Sequence, residues 1–280
     1  MIRSDMADGA ELPQAVTYSI DYGLSSHIGQ RDYNQDAVYI TNAPMPLNGK
    51  GSLFAVADGM GGHPGGDLAS RLACDGLKRY YEPNIKKKVR QNLADISRQL
   101  AGLIIRIDRW IRLQGQKNPI LEDMGTTLSC LVITNTHAVI AHVGDSRIYR
   151  LRKGHLACLT VDHTFVQDMI FEGEVAPEKA HLHPLRHMLT RAVGTGEPLA
   201  LVDSRIDPLK TKDCFLLCSD GLYNVLTDTN ILDLLSSHSN ASETAAKLVK
   251  QALQDGARDN ITAIVIKLER STKVFQTSGE

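Results

Sequence analysis

Short runs of aliphatic and β-branched residues, apolar on both faces, constrain this chain more than any other feature. They lie at 53–57, 128–134, 138–143, 148–151, 156–160, 215–218 and 261–268, with a further one at 37–40. A strand of that kind must be covered on both sides. Several runs are separated by hairpin-length turns, as at Lys153-Gly154, so their strands pair antiparallel. Two longer stretches carry a helical stripe instead. One follows the Gly/Pro turn at 61–66 and holds Leu68, Leu72, Ala73, Leu77, Tyr80 and Tyr81. The other holds Val89, Leu93, Ile96, Leu100, Leu103, Ile107 and Trp110 and stops before Gly115. A third helix is expected over 241–254, opened by Asn240 with Glu243 as a capping box and closed by Gly256. Two antiparallel sheets packed on each other and flanked by helices, an α+β sandwich, is the architecture that covers all these faces.

At 280 residues, with 42% hydrophobic residues, the chain can bury roughly three quarters of its unfolded surface without disulfides or structural metals. Found nowhere between 15 and 270 is a low-complexity tract, a repeat or a Pro/Ser-rich linker, so one domain is expected there. The segments 1–14 and 271–280 read as a flexible N-terminal segment and a tail. With 31 basic and 32 acidic residues the formal charge is −1, which gives no global attraction to nucleic acid or an anionic membrane. The basic run Lys86 to Lys88 with Arg90 reads as a solvated helix face rather than a docking patch. The dispersed cysteines Cys74, Cys130, Cys158, Cys214 and Cys218 look like buried reduced thiols. The Cys214/Cys218 pair lacks the spacing of a redox or zinc half-site. No signal-peptide core and no stretch of ~20 apolar residues is present, so a cytoplasmic protein is expected.

The acids carry the functional signal. Asp58-Gly59, Gly144-Asp145, Asp220-Gly221 and Asp259-Asn260 each join a carboxylate to a small residue at the end of an apolar run. One such pair is usually a turn; four are hard to obtain as independent turns. Carboxylates gathered at one sheet edge repel each other and are costly to bury. Two or three Mg²⁺ or Mn²⁺ ions, which prefer oxygen ligands, would satisfy them, and a glycine lets a carbonyl oxygen approach an ion. Arg31, close to Asp36, has the planar fork that suits a phosphate.

These residues fall into the motifs GxRxxNQD (29–36), FAVADGMGGHPGG (54–66), MGTTL (124–128), HVGDSRIYRLRKG (142–154), LTRAVG (189–194), LLCSDGL (216–222) and ARDNIT (257–262). Together, and in this order, they resemble the metal-dependent, type 2C serine/threonine protein phosphatases in their bacterial form. The resemblance implies an α-β-β-α sandwich with a dinuclear manganese or magnesium centre. It implies that Asp58 bridges both ions, the Gly59 carbonyl binds the second, and Asp220 and Asp259 hold the first. Asp36 would orient water at the second ion, Arg31 would grip the substrate phosphate, and Asp145 with Asp220 would contribute to a weaker third site. The segment 162–187 corresponds to a flap beside the site. Met60 stands where many eukaryotic members carry a histidine, with His63 nearby; Gln35 stands where Glu is common, and Asn224 where a third-metal Asp is frequent.

The expected chemistry is in-line attack on a phosphoserine or phosphothreonine by a water or hydroxide shared by two ions. A cysteine phosphatase loop and a GxxxxGK[ST] motif are both lacking. Two alternatives are a non-catalytic phosphopeptide-binding module and another two-metal phosphohydrolase. Of the histidines in or near the flap, His155, His163, His181, His183 and His187 read as an ordinary polar, substrate-facing loop. Phosphoproteins are the expected partners, with a bacterial serine/threonine kinase and its targets plausible among them, and a monomer is expected.

Overall fold

The computed structural model describes residues 18–41, 51–60, 65–81, 92–237 and 239–270. The segments 1–14 and 271–280, His63, Val89 and the basic run Lys86 to Arg90 lie outside the described residues. In chain order the strands are β1 (Tyr18–His27), β2 (Asp36–Ile40), β3 (Ser52–Met60), β4 (Gly125–Thr126), β5 (Leu128–Ile133), β6 (His137–Val143), β7 (Arg147–Arg152), β8 (His155–Cys158), β9 (Asp203–Pro208), β10 (Cys214–Cys218) and β11 (Ile261–Arg270). The helices are α1 (Gly65–Tyr81), α2 (Leu93–Gly115), α3 (Phe165–Phe171), α4 (Asp220–Tyr223), α5 (Asp228–Ser236) and α6 (Ala241–Gln254).

One sheet runs β1-β11-β10-β7-β8 and the other β2-β3-β5-β6-β9, with β4 paired to the end of β3; every pairing is antiparallel. Strand alternation divides the interior into three layers. On β3, Phe54 and Val56 face the other sheet and meet Phe215 and Leu217 of β10 and Ile264 and Ile266 of β11. Leu53, Ala55 and Ala57 face the opposite way and pack with Leu77 of α1 and Ile104 of α2. On β10, Cys214, Leu216 and Cys218 turn outward to Leu248 of α6 and Ile231 of α5. Each fully buried Leu, Ile or Phe contributes about 1.5–3 kcal/mol, so a one-residue register slip would cost a whole face at once.

The cysteines are all reduced; Cys74, Cys130, Cys214 and Cys218 are buried, whereas Cys158 is exposed on the edge strand β8. Lys153 and Gly154 take φ of 51° and 77°, the left-handed pair that closes a two-residue hairpin between β7 and β8. Helix α6 opens at Asn240, whose side chain accepts the Glu243 N–H at 2.8 Å, and Gly256 follows it at φ 87°. Helix α2 opens at Leu93, capped by Asn92, which accepts the Asp95 N–H at 2.8 Å.

Backbone closeness sets a test. A Cβ on Gly23 of β1 would lie 2.2 Å from the Ser242 backbone of α6, whereas one on Gly154 would meet nothing within 4 Å. Gly154→Ala therefore costs only its left-handed backbone, about 1 kcal/mol, or roughly 2–4 °C in Tm. Gly23→Ala forces α6 off the sheet and costs about 3 kcal/mol. Calorimetry of the two variants should rank them in that order.

Candidate active site

Antiparallel pairing brings the acids together. Residues at the Asp58 end of β3 pair with the start of β5, which pairs with the end of β6; Cys218 at the end of β10 pairs with Arg147 and Ala263. The β6–β7 turn carrying Asp145, Asp220 at the start of α4, and Asp259 just ahead of β11 thus share one edge with Asp58. Asp36 pairs directly with Asp58 across β2 and β3. A cavity of about 980 Å³ opens here, lined by Arg31, Asp58, Gly59, Asp145, Asp220 and Asp259. Of the acids expected from the sequence, Asp36 stands behind this wall rather than on it.

The carboxylates are held at a cost. Burial pushes the Asp58 carboxyl well above its ordinary range, and the charges of Asp36, Asp220, Asp145 and Asp259 push it further. Asp145 is raised by burial and then by Asp220 and Asp162, with Arg147 opposing. Asp36 is pushed up to about 6, mainly by burial. Its Oδ2 accepts from Ser219 Oγ at 2.7 Å, and its buried Oδ1 has no hydrogen-bond partner among the described residues. The Thr262 hydroxyl also favours the Asp36 anion. That hydroxyl also lies 2.8 Å from Ser26 Oγ.

Hydrogen bonds to the backbone hold this crowded edge in place. Thr127 Oγ1 accepts the Asp58 N–H at 2.9 Å, while Thr126 Oγ1 and the Thr127 N–H both donate to the Asp58 carbonyl at 2.9 Å. Gly59 must lack a side chain, since a Cβ would lie 2.2 Å from the Gly66 carbonyl oxygen at the start of α1. Asn260 fixes the segment that carries Arg31 and Asp36. Its Oδ1 accepts the Gln35 N–H at 2.8 Å, and its Nδ2 donates to the Ile28 and Tyr33 carbonyls at 2.9 Å. Asn224 Nδ2 donates to Asp220 Oδ2 at 3.1 Å, and Tyr223 Oη to the Asp145 carbonyl at 3.0 Å.

Arg31 reaches the cluster, but its Nη2 is engaged by Asp259 Oδ2 at 2.7 Å. That bond and the Asp259 charge raise the guanidinium pKa, and Asp220 and Asp58 add to the effect. Nothing in the sequence signals this partner of Arg31. Nor does the sequence signal Arg147, whose fork grips Asp162 at 2.7–3.1 Å while stacking 3.7 Å over the Tyr223 ring, and so anchors the start of the 162–187 segment. His181 and His187 line the cavity as a polar loop would, with His187 Nδ1 3.6 Å from Asp220 Oδ2. His163 differs: it is buried against His142, ring centroids 4.8 Å apart, and its Nδ1 accepts the Gly144 N–H at 3.0 Å.

The donor set fits divalent cations. The charges of Asp58, Asp36, Asp145, Asp220 and Asp259 act on one another, and a buried Asp36 oxygen is unpartnered. Among the described residues no three His, Cys, Asp or Glu side chains form a group that could hold a metal ion on their own. Hard divalent cations also take backbone carbonyls, such as Gly59's, and waters.

The sequence profile of the family "Protein phosphatase 2C" matches residues 25–264. The serine/threonine phosphatase stp of Listeria welshimeri is 37% identical over 215 residues, covering 77% of this chain and 84% of that one. The serine/threonine protein phosphatase PstP of Mycobacterium tuberculosis is 35% identical over 253 residues; they make up 89% of this chain but 45% of PstP, so the chain spans about half that relative's length. The catalytic domain of PstP in complex with two manganese ions superposes with a TM-score of 0.74 at 33% identity, covering 90% of this chain and 100% of that one. The shared sandwich, the acid-lined edge and these matches agree: the chain belongs to the protein phosphatase 2C family of metal-dependent serine/threonine protein phosphatases.

Proposed function

We propose that this chain hydrolyses phosphoserine and phosphothreonine monoesters on proteins, using two manganese or magnesium ions, with a weaker third. The observation that carries the reading is the gathering of mutually repelling carboxylates around a single cavity that Arg31 also lines. Asp58 would bridge the two ions, with the Gly59 carbonyl on the second and Asp220 and Asp259 on the first. Asp36, set behind Asp58, would order the second ion's waters through its unpartnered Oδ1. Asp145 with Asp220 would hold the third ion, and Asn224, already bonded to Asp220, would steady that carboxylate. Bound there, such ions lower the pKa of a water nucleophile and absorb charge on phosphoryl oxygens.

The chain's own residues do the rest. Arg31 exchanges its Asp259 contact for phosphoryl oxygens, and the bidentate fork orients the phosphorus for in-line attack. Segment 162–187 supplies the facing wall through Val166, Ile170 and Pro177, and acts as the flap that screens the site. Residues 15–270 would form the phosphatase unit. A kinase partner or its targets as substrates, a monomeric state and a cytoplasmic location complete the proposal; no helix of the described residues is long and apolar enough to cross a membrane.

Release of phosphate from a phosphothreonine peptide and from a nucleotide, and cleavage of a bis-aryl phosphodiester, with Mn²⁺ or a chelator, tests the reading. Peptide turnover only with metal is expected. Peptide binding without turnover would make the chain a binding module, and preferential diester cleavage a different hydrolase. Asp58→Asn, Asp220→Asn and Asp259→Asn should each lower kcat about 10³-fold or more while the circular dichroism spectrum is unchanged. Arg31→Ala should raise KM for the peptide about tenfold, with a smaller change in kcat.

Stability without metal should move the other way. Asp36, at about 6, and Asp58, raised well above its ordinary range, hold protons more tightly than their unfolded counterparts near 3.8, so their contribution is favourable at low pH; that of Asp36 is lost as pH rises through about 6, and that of Asp58 as pH rises through its own raised value. At a pH above both raised values, chelator-treated Asp58→Asn should therefore melt higher than the parent, by about 2–4 °C for each kcal/mol relieved. Added Mn²⁺ should raise the parent's Tm and barely move the variant's. A scanning calorimeter reads both.

A further inference from the structure

Far from the acids in sequence, Asp108 and Arg112 stand one turn apart on α2, with side chains only 4% and 16% exposed. Between them they close on the loop 194–199. Asp108 Oδ1 accepts the Gly194 N–H at 2.8 Å, and its Oδ2 accepts the Leu199 N–H at 3.2 Å and Arg112 Nε at 2.9 Å. Arg112 in turn donates to three successive carbonyls, those of Thr195, at 2.8 Å, Gly196 and Glu197. Both ends of the loop are buried while 196–198 is exposed, so the clasp fixes a surface loop at its roots.

The loop leads inward. Val193, next to Gly194, exchanges two backbone hydrogen bonds with Thr126 of β4, at 2.9 and 2.8 Å. Thr126 Oγ1 donates to the Asp58 carbonyl, and β4 pairs with Gly59 and Met60. Packing along this route leaves little slack. A Cβ on Gly125 would lie 2.7 Å from Thr195 Cγ2, and one on Gly194 2.4 Å from Ile111 Cγ2 of α2. The strand end that presents Asp58 and the Gly59 carbonyl is thus braced from outside by β4, and β4 by a loop that α2 holds.

We infer that Asp108 and Arg112 are positioning residues for the metal-binding end of β3, acting through loop 194–199 and Thr126 on Asp58 and Gly59. The inference rests on the function proposed above. Its physical basis is that a bridging carboxylate and a carbonyl from adjacent residues must keep their spacing to serve one pair of ions. Loosening their outer support relaxes that spacing without touching the substrate. Supporting groups of this kind typically change metal affinity or activity 10–100-fold.

The test compares Arg112→Lys and Asp108→Asn with Arg152→Lys. Arg152 makes an equally buried fork on Asp213, both contacts 2.7 Å, where Leu151 pairs with Cys214 at the far end of β7 and β10. The readouts are Tm, Mn²⁺ binding by isothermal titration calorimetry, and kcat and KM on a phosphothreonine peptide. Arg112→Lys and Asp108→Asn should each weaken Mn²⁺ about tenfold and lower kcat about tenfold, with KM within about twofold. Arg152→Lys should lower Tm alone. Thr126→Val should reproduce the Arg112→Lys effect, and the double variant should be no worse than the worse single, because both break one chain of contacts. If Arg112→Lys fails to fold, Asp108→Asn and Thr126→Val decide the matter. Arg112 and Arg152 variants that lose Tm alike and keep the parent's Mn²⁺ affinity, or a double variant whose losses multiply, would overturn the inference. Absence of peptide turnover in the unaltered protein would instead overturn the proposed function, while the Mn²⁺ titration would still decide the clasp.

Discussion

Repulsion among carboxylates that the backbone does not allow to separate is the constraint around which this molecule is organised. Asp58 and Asp36 face each other because β2 and β3 pair in that register; Asp145, Asp220 and Asp259 arrive at the same edge because each sits at the end of a neighbouring strand. Moving any of them would mean shifting a strand by a residue, which would turn a buried apolar face into the wrong layer. The unfavourable charge is therefore carried by the fold as a whole, as strain often is at functional sites.

The surrounding polar network makes sense as the counterweight. Ser219, Thr126, Thr127 and Asn260 are each hydrogen-bonded to an acid or to the backbone that bears one. These groups are small and mostly buried, so they lose little freedom on folding and hold their partners in a narrow range of positions. Around them the three apolar layers form a stiff frame, since strands interleaved on both faces resist sliding.

Much of this was legible in the sequence, and the exceptions have physical reasons. Strands such as β5 and β10 are apolar on both faces and declare themselves, whereas β1 and β9 were not expected. Both are edge strands, half exposed, and β9 (Asp203–Pro208) is mostly polar, so burial leaves little imprint on them. Helix α5 was also missed, though Thr227 and Asn230 form a reciprocal capping box at its start. The acids could be read because each adjoins an apolar run. The pairing of Arg31 with Asp259, and the place of Asp36 behind the cavity wall, could not, because both depend on how segments more than 180 residues apart come to lie side by side. Asp108 and Arg112 look in sequence like any helical ion pair; only the loop they enclose gives them a further part.

The Arg31–Asp259 contact places two opposite appetites on a single latch. In the proposed roles, Arg31 as phosphate grip and Asp259 as ion ligand, their 2.7 Å contact would compete with both guests. Whatever draws the acid away releases the arginine, and whatever draws the arginine away releases the acid. Thermodynamic reciprocity then makes each class of guest improve the reception of the other by the same factor. A phosphorylated chain meeting this surface would thus sense, through one side chain, how much inorganic cation the surroundings hold.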